Sequence, residues 1–438
     1  MSALPAAEPI RLREWQTVTL PGVLLTEADR ELARSLAEEG RRLLVEELRM
    51  GVRVSSRSWV GMVRFEAFDL VVEPKMAGEN IGLVRLLEFT TGLSGFRRIS
   101  SRRTLSVEPN TLDLFDLLAL LFAEECSAVV KGGLLSDYVS REDLLPALRG
   151  RLLVDRQLTR QFGRIDQLEC RFDEHETDTP ENQVLAAALA VCSRRTHDAE
   201  VRARVRRLEN IFAEVCDPSG TDLRLIRETL VYNRMNEQYR EAHSLAWFIL
   251  DGLGIRDVLT SGGTRSFAFL IDMNALFERF VWRALEIICA GRGLRVQYQR
   301  KDRSILWDAT RERPYASVIP DLLVRSPLRD TALAVDAKYK PYDERKLSPA
   351  DIYQTFLYAI AYSGEKMDGR PRAFVIYPMS DIEPRETALF VRNLSGYPRG
   401  EVRALGIHIP SLLQEVSSAA PGQHAGLLSR RIHQAVGP

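Results

Sequence analysis

Two aspartates and a lysine stand at spacings that suit divalent-cation chemistry. They lie in Ile319-Pro-Asp-Leu-Leu-Val324 and Ala334-Val-Asp-Ala-Lys-Tyr-Lys340. Val318–Val324 and Ala332–Lys340 read as two strands of a hairpin around the turn Arg325-Ser-Pro-Leu-Arg-Asp330. Asp336 and Lys338 are two residues apart, so a strand turns both side chains to one face. Antiparallel pairing can bring Asp321 alongside Asp336. Two carboxylates at one point repel unless a cation sits between them, and hard oxygen ligands suit Mg²⁺. A lysine beside them is a compact charge that can orient or deprotonate a water, or hold a phosphate oxygen. Such a group fits phosphodiester hydrolysis, which needs an activated water and stabilisation of developing negative charge.

An acidic-x-Lys triplet is a weak signal by itself. Three occur here (Glu73-Pro-Lys75, Asp336-Ala-Lys338 and Glu344-Arg-Lys346), where about one is expected by chance. The middle triplet differs in context, with a β-type run before it and a Pro-Asp pair opening the preceding strand. Lysine usage adds to this. Only seven of the 60 basic residues are lysine, and three of those seven fall within 338–346. The competing reading is an exposed edge-strand lysine paired with an aspartate. Two helices can complete the group. Asp351, Gln354 and Tyr358 recur at i, i+3 and i+7, which places a Gln where it can meet a bound water or a phosphate, or simply gives the helix a polar face. Glu278 lies one turn after Asn274, off the apolar stripe of its helix, as a further ligand or as a solvated side chain.

The elements that must position these residues follow from patterning. Residues 10–105 read as β-rich, with short strands at Val60–Phe65 and Phe68–Val72. A helix precedes them, with Thr26 as N-cap and Leu32, Leu36 and Leu43–Leu44 as its apolar stripe. Leu83–Leu87 adds a helical fragment. From 110 to 260 the pattern is helical, around Leu114–Cys126 and Glu181–Val191. The latter has Thr179 as N-cap and Pro180 at the first position. Ser261-Gly-Gly-Thr264 reads as a domain boundary. Beyond it, helices at Ile271–Ile288 and Asp351–Tyr362 alternate with strands, including Ala373–Tyr377 and Val402–Ile409. The expected fold is multidomain α+β and α/β: a β-rich region 1–105, a helical region 106–264, and an α/β domain 265–438 with a mixed sheet. The last twenty or so residues read as frayed.

Composition narrows the function classes. The 438 residues carry 60 basic and 60 acidic side chains, so any positive surface for nucleic acid must be local. Five scattered cysteines with no C-x-x-C argue against a disulfide framework and a structural zinc site, and point to a reducing compartment. The longest apolar run, Val184–Cys192, is too short to span a bilayer. Met1–Ile10 lacks the features of a secretory signal. The expectation is a soluble, cytoplasmic protein. There is no G-x-x-x-x-G-K-[ST] and no G-x-S-x-G. Arg194–Arg207 holds six arginines, suited to DNA phosphates or to a solvated helix face.

The hairpin resembles the PD-(D/E)XK nuclease core. The chain from about 10 to 410 resembles McrC, the nuclease subunit of McrBC-type modification-dependent restriction systems. Matching stretches are Val60-Gly-Met-Val, Leu70-Val-Val-Glu-Pro-Lys75, Leu148-Arg-Gly-Arg-Leu152, Thr179-Pro-Glu-Asn182 and Phe267–Phe280, followed by the hairpin and Asp351–Tyr358. The resemblance implies that Asp321 and Asp336, with the Ala337 carbonyl, hold one or two Mg²⁺ ions. It implies that Lys338 orients the attacking water, that Gln354 and Tyr358 form the trailing Gln-x-x-x-Tyr element, and that Glu278 is the acidic residue of the first core helix. It also implies an N-terminal part that docks on a McrB-like hexameric AAA+ GTPase and stimulates it, with modified double-stranded DNA as substrate and no membrane. Two other classes remain open here: a non-catalytic adaptor of an AAA+ motor, and a stand-alone repair nuclease.

Overall fold

The structure is a computed structural model that describes residues 9–38, 42–76, 80–91, 113–164, 166–217, 222–253, 267–327, 332–363, 370–418 and 422–436. The chain forms two compact units, one from residues 1–96 with 264–438, the other from 97–263. The β-rich N-terminal segment and the C-terminal α/β segment thus share one unit. The Ser261–Thr264 stretch and position 105, where the sequence suggests boundaries, lie outside the described residues.

The N-terminal segment builds a four-stranded sheet in the order Ile10–Arg13, Asp69–Glu73, Trp59–Arg64, Phe267–Asp272. Glu66-Ala67 turns the chain between the two middle strands, and the buried Asp29 carboxylate accepts both of their backbone N–H groups. Asp29 also exchanges hydrogen bonds with Thr26, a reciprocal cap on the helix Glu27–Glu38. Gly61, in one of the matched stretches, has φ +142, and a Cβ there would lie 2.1 Å from the Phe269 carbonyl oxygen. Only glycine permits that strand approach. Two expectations are corrected here. Leu43–Leu44 leave the helix for a strand, Leu43–Leu48. Ile271 belongs to the strand Phe267–Asp272, and the helix begins at Met273, capped by Asp272.

The same unit holds a six-stranded mixed sheet. Its order is Arg295–Tyr298, Leu322–Arg325, Ala332–Ala337, Arg372–Pro378, Pro398–Ile407, Arg385–Arg392. The central pairs are parallel and the outer ones antiparallel. The helix Pro349–Tyr362 connects the two parallel strands 332–337 and 372–378. It packs Tyr358, Ala359 and Tyr362 on Leu323, Ala334 and Ala373. The strand expected over 318–324 is divided. Val318 ends an exposed two-stranded ribbon, Asp302–Asp308 with Arg313–Val318, residues 319–321 connect, and the sheet strand starts at Leu322. The following strand stops at Ala337, so Lys338–Lys340 lie beyond it. The C-terminus is not frayed: Gln423–Val436 is a helix with Leu428, Ile432 and Val436 buried.

The second unit contains the expected helices Leu114–Gly132 and Pro180–Arg195, the latter capped by Thr179 Oγ1. It is not all helical. Asp137–Leu145, Leu168–Glu176 and Arg151–Leu152 form an antiparallel sheet. On the arginine-rich segment, Arg202 donates to the carbonyls of Thr196 and His197, and Arg204 pairs with Glu124. Arg206 and Arg207 are exposed.

Candidate active site

Hairpin register sets the site. The antiparallel ladder ends at Leu322 opposite Val335, so the next residues outward are Asp321 and Asp336. Asp321 Oδ2 accepts the Ala337 N–H at 2.8 Å, which ties the connecting segment to the neighbouring strand. The Lys338 N–H continues the parallel ladder by donating to the Ile376 carbonyl at 2.9 Å. Its ammonium returns to Asp336, with Nζ 2.9 Å from Oδ2.

Asp336 is fully buried, with the Lys338 ammonium on its Oδ2 and the Asp321 carboxyl beside it. Burying two neighbouring carboxyls with a single ammonium beside them is costly, because one positive charge cannot offset two negative ones. Burial, then the Asp336 charge, push the Asp321 carboxyl well above the usual carboxylate range, against the opposing pull of Lys338 and the Ala337 N–H. Two carboxylates that cannot comfortably both ionise are what a divalent cation relieves. Burial pulls the Lys338 ammonium down, but Asp336, Asp321 and Asp351 outweigh it and hold its pKa above the ordinary lysine value. Lys338 is therefore a cation here, suited to orienting a water or holding a phosphate oxygen, and not a free base.

The remaining candidates surround this core at different distances. Gln299 donates its backbone N–H to the Asp321 carbonyl at 2.9 Å and its side-chain amide to Glu278 Oε1 at 2.7 Å. Gln299 has φ +44, a left-handed backbone uncommon outside glycine. Glu278 thus reaches the Asp321 segment through one intermediary. Tyr358 Oη donates to the Ile319 carbonyl at 3.2 Å and accepts from Gln354 Nε2 at 3.0 Å. Burial, then the charges of Asp336 and Asp321, raise the Tyr358 pKa. The structure therefore brings Asp321, Asp336 and Lys338 into contact, with Tyr358 in their field. Glu278 and Gln354 each stand one residue further out. Asp351 faces elsewhere, accepting from Lys340 Nζ, Ser348 Oγ and Tyr342 Oη. Sequence reasoning missed Gln299 and the buried support behind Lys338, in which Tyr339 Oη donates to Glu14 Oε2 at 2.8 Å. Neither carries a local signal.

Among the described residues one other group has metal-ligand types together, Asp113, Asp116 and His197. Its carboxylates are used by the backbone. Asp113 accepts the Asp116 N–H at the start of the helix Leu114–Gly132, and Asp116 accepts the N–H groups of His197 and Asp198. Among the described residues no helix is long and apolar enough to cross a membrane.

The fold is similar to that of a chain in a solved assembly of AAA+ hexamers. A chain from the refined half-complex of the tetradecameric assembly of Thermococcus gammatolerans McrB AAA+ hexamers with bound McrC superposes with TM-score 0.70 at 18% identity, covering 98% of this chain and 100% of that one. A chain from the cryo-EM structure of the Thermococcus gammatolerans McrBC complex matches with TM-score 0.48 at 21% identity, over 64% of this chain and 87% of the other. No curated protein matches the sequence. The profile of the family described as McrBC 5-methylcytosine restriction system component matches residues 54–378. The chain belongs to that family, which bears out the resemblance to McrBC-type systems.

Proposed function

We propose that this protein is the Mg²⁺-dependent DNA endonuclease subunit of a McrBC-like restriction complex, its catalytic core a PD-(D/E)XK nuclease domain within residues 265–438. The observation that carries the reading is Asp336: a fully buried carboxylate beside Asp321, held by the Lys338 ammonium at 2.9 Å. Asp321, Asp336 and the Ala337 carbonyl would hold the cation, with Glu278 available through Gln299. When bound, the cation would polarise the scissile phosphate and lower the pKa of a coordinated water. The chain's own residues do the rest. Lys338 orients the water and counters charge on the phosphate, while Tyr358 and Gln354 fix the 319–321 segment.

The similar fold from an assembly of McrB AAA+ hexamers with bound McrC supports a AAA+ GTPase hexamer as partner. On this reading residues 1–105 dock on the motor and stimulate its nucleotide hydrolysis, and the complex works in the cytoplasm against modified duplex DNA. The test is reconstitution with the AAA+ partner, Mg²⁺, GTP and methylated or unmethylated DNA. Asp336→Ala is expected to abolish cleavage while leaving partner binding and stimulation of GTP hydrolysis intact. Cleavage by that variant at the unmutated rate refutes the assignment.

A further inference from the structure

The ribbon Asp302–Val318 has no task in the cation site, yet it leads into it. Val318 ends its second strand, and Asp321 follows three residues later, a reach of about 10 Å. Its base is anchored: Ile305, Leu306 and Val318 pack on the cluster that includes Leu323, Tyr358 and Tyr362. Its outer part is exposed, and two large aromatic side chains stand out on it, Trp307 at 56% and Tyr315 at 77% exposure. An anchored base with a projecting aromatic tip is the shape of a contact arm, not of a core hairpin.

The ribbon's cations, not its net charge, point the same way. The ribbon itself, residues 302–318, holds three basic and three acidic side chains, and Arg300 and Lys301 stand at its entrance. Two of the acids are occupied by the ribbon's own backbone. Asp302 accepts from the Ser304 N–H and hydroxyl, and Asp308 accepts the N–H groups of Thr310 and Arg311 at the turn. Lys301, Arg303, Arg311 and Arg313 are exposed, and none of the ion pairs among the described residues uses them. Exposed unpaired cations interleaved with aromatics suit phosphates and base or sugar faces. The major groove of B-DNA, about 12 Å wide, admits a two-stranded ribbon.

We propose that this ribbon is a duplex-DNA contact that lays the phosphodiester backbone across Asp321. The inference rests on the nuclease reading of the Asp321–Asp336 pair and adds to it the surface that delivers the substrate.

The test measures binding of the full-length protein to a fluorescent duplex by anisotropy, in EDTA and over a series of salt concentrations, so that it does not depend on cleavage. The triple variant Arg303→Ala/Arg311→Ala/Arg313→Ala is expected to bind at least about tenfold more weakly. Its log Kd against log salt slope should fall by about two to three, near 0.9 for each phosphate that is no longer neutralised. Trp307→Ala/Tyr315→Ala is expected to weaken binding with the slope unchanged. Lysine at the same three arginine positions, which keeps charge and fold, should restore the slope. Arg160→Ala/Arg164→Ala, exposed arginines outside both the ribbon and the Arg194–Arg207 segment, serves as a control and should change neither quantity. Unmutated affinity and slope in the triple alanine variant overturn the proposal. So does an equal loss in the control, and so does loss of the AAA+ partner with DNA binding unchanged, which would make the ribbon a protein contact. The Asp336→Ala protein separates the two readings. If it does not cleave while the ribbon variant binds normally, only the ribbon assignment fails. If it cleaves while the ribbon variant binds weakly, only the nuclease assignment fails.

Discussion

Tyr339 and Glu14, 325 positions apart, meet inside the protein through a hydrogen bond of 2.8 Å from the tyrosine hydroxyl to Oε2. Both are 1% exposed. Tyr339 directly follows Lys338, and its ring also packs 5.6 Å from Trp15 and 5.7 Å from Phe277 between centroids. One side chain therefore ties together the segment that carries Lys338, the first strand's exit, and the helix that carries Glu278.

Burial raises the Glu14 pKa to about 7, against the Lys75 N–H, the Tyr339 hydroxyl and the Lys75 charge. The folded state thus holds this proton more tightly than the unfolded chain. The stabilisation is full below the unfolded value and declines as pH rises from about 4.5 to about 7, by at most about 3 kcal/mol. The Glu14→Gln protein cannot ionise there. Its Tm minus that of the unmutated protein should therefore become more positive between pH 5 and pH 8. A difference independent of pH in thermal melts contradicts this.

Cation binding should show in stability as well as in cleavage. A ligand that binds the folded state alone raises Tm by mass action. Mg²⁺ is expected to raise Tm of the unmutated protein and not of the Asp336→Ala protein. Because Asp321 holds its proton into a higher pH range than an ordinary carboxyl, protons compete with the cation, and the Mg²⁺-induced shift should grow as pH rises through neutrality. Calorimetric scans at several pH values check both points. An equal shift in the variant contradicts the ligand set.

Tyr358 supports the Ile319 carbonyl, two residues before Asp321, while Gln354 lies exposed on its outer side. Tyr358→Phe removes one hydrogen bond from each neighbour. It should cost about 1 kcal/mol of stability and about 10–100-fold in cleavage. Gln354→Ala should leave stability within about 0.5 kcal/mol while still lowering cleavage. Paired denaturation and rate measurements separate the two. A Tyr358→Phe protein that cleaves at the unmutated rate removes this residue from the site.

How much of this was legible depended on how local each signal is. Thr26 and Thr179 could be read as caps because a cap is written within four residues. Asp321 opposite Asp336 could be read because a hairpin turns register into arithmetic. The sheet containing Asp137–Leu145 could not, because that strand has no buried residue among those described and hence no apolar alternation. The helix Gln423–Val436 was hidden by its Ala- and Ser-rich approach, although Leu427, Leu428, Ile432 and Val436 give it an apolar face. Glu14 and Gln299 act through residues that only the fold brings near, and Gln299 through a backbone angle that its residue type does not announce.

The central claim is that Asp321 and Asp336 grip a divalent cation beside Lys338. Anomalous diffraction from crystals soaked in Mn²⁺, a stand-in for Mg²⁺, tests it most directly. A peak is expected within bonding distance of oxygens from both aspartates, absent from Asp336→Ala crystals. A peak only at Asp113, Asp116 and His197, or none near Asp321 and Asp336 at saturating Mn²⁺, contradicts it.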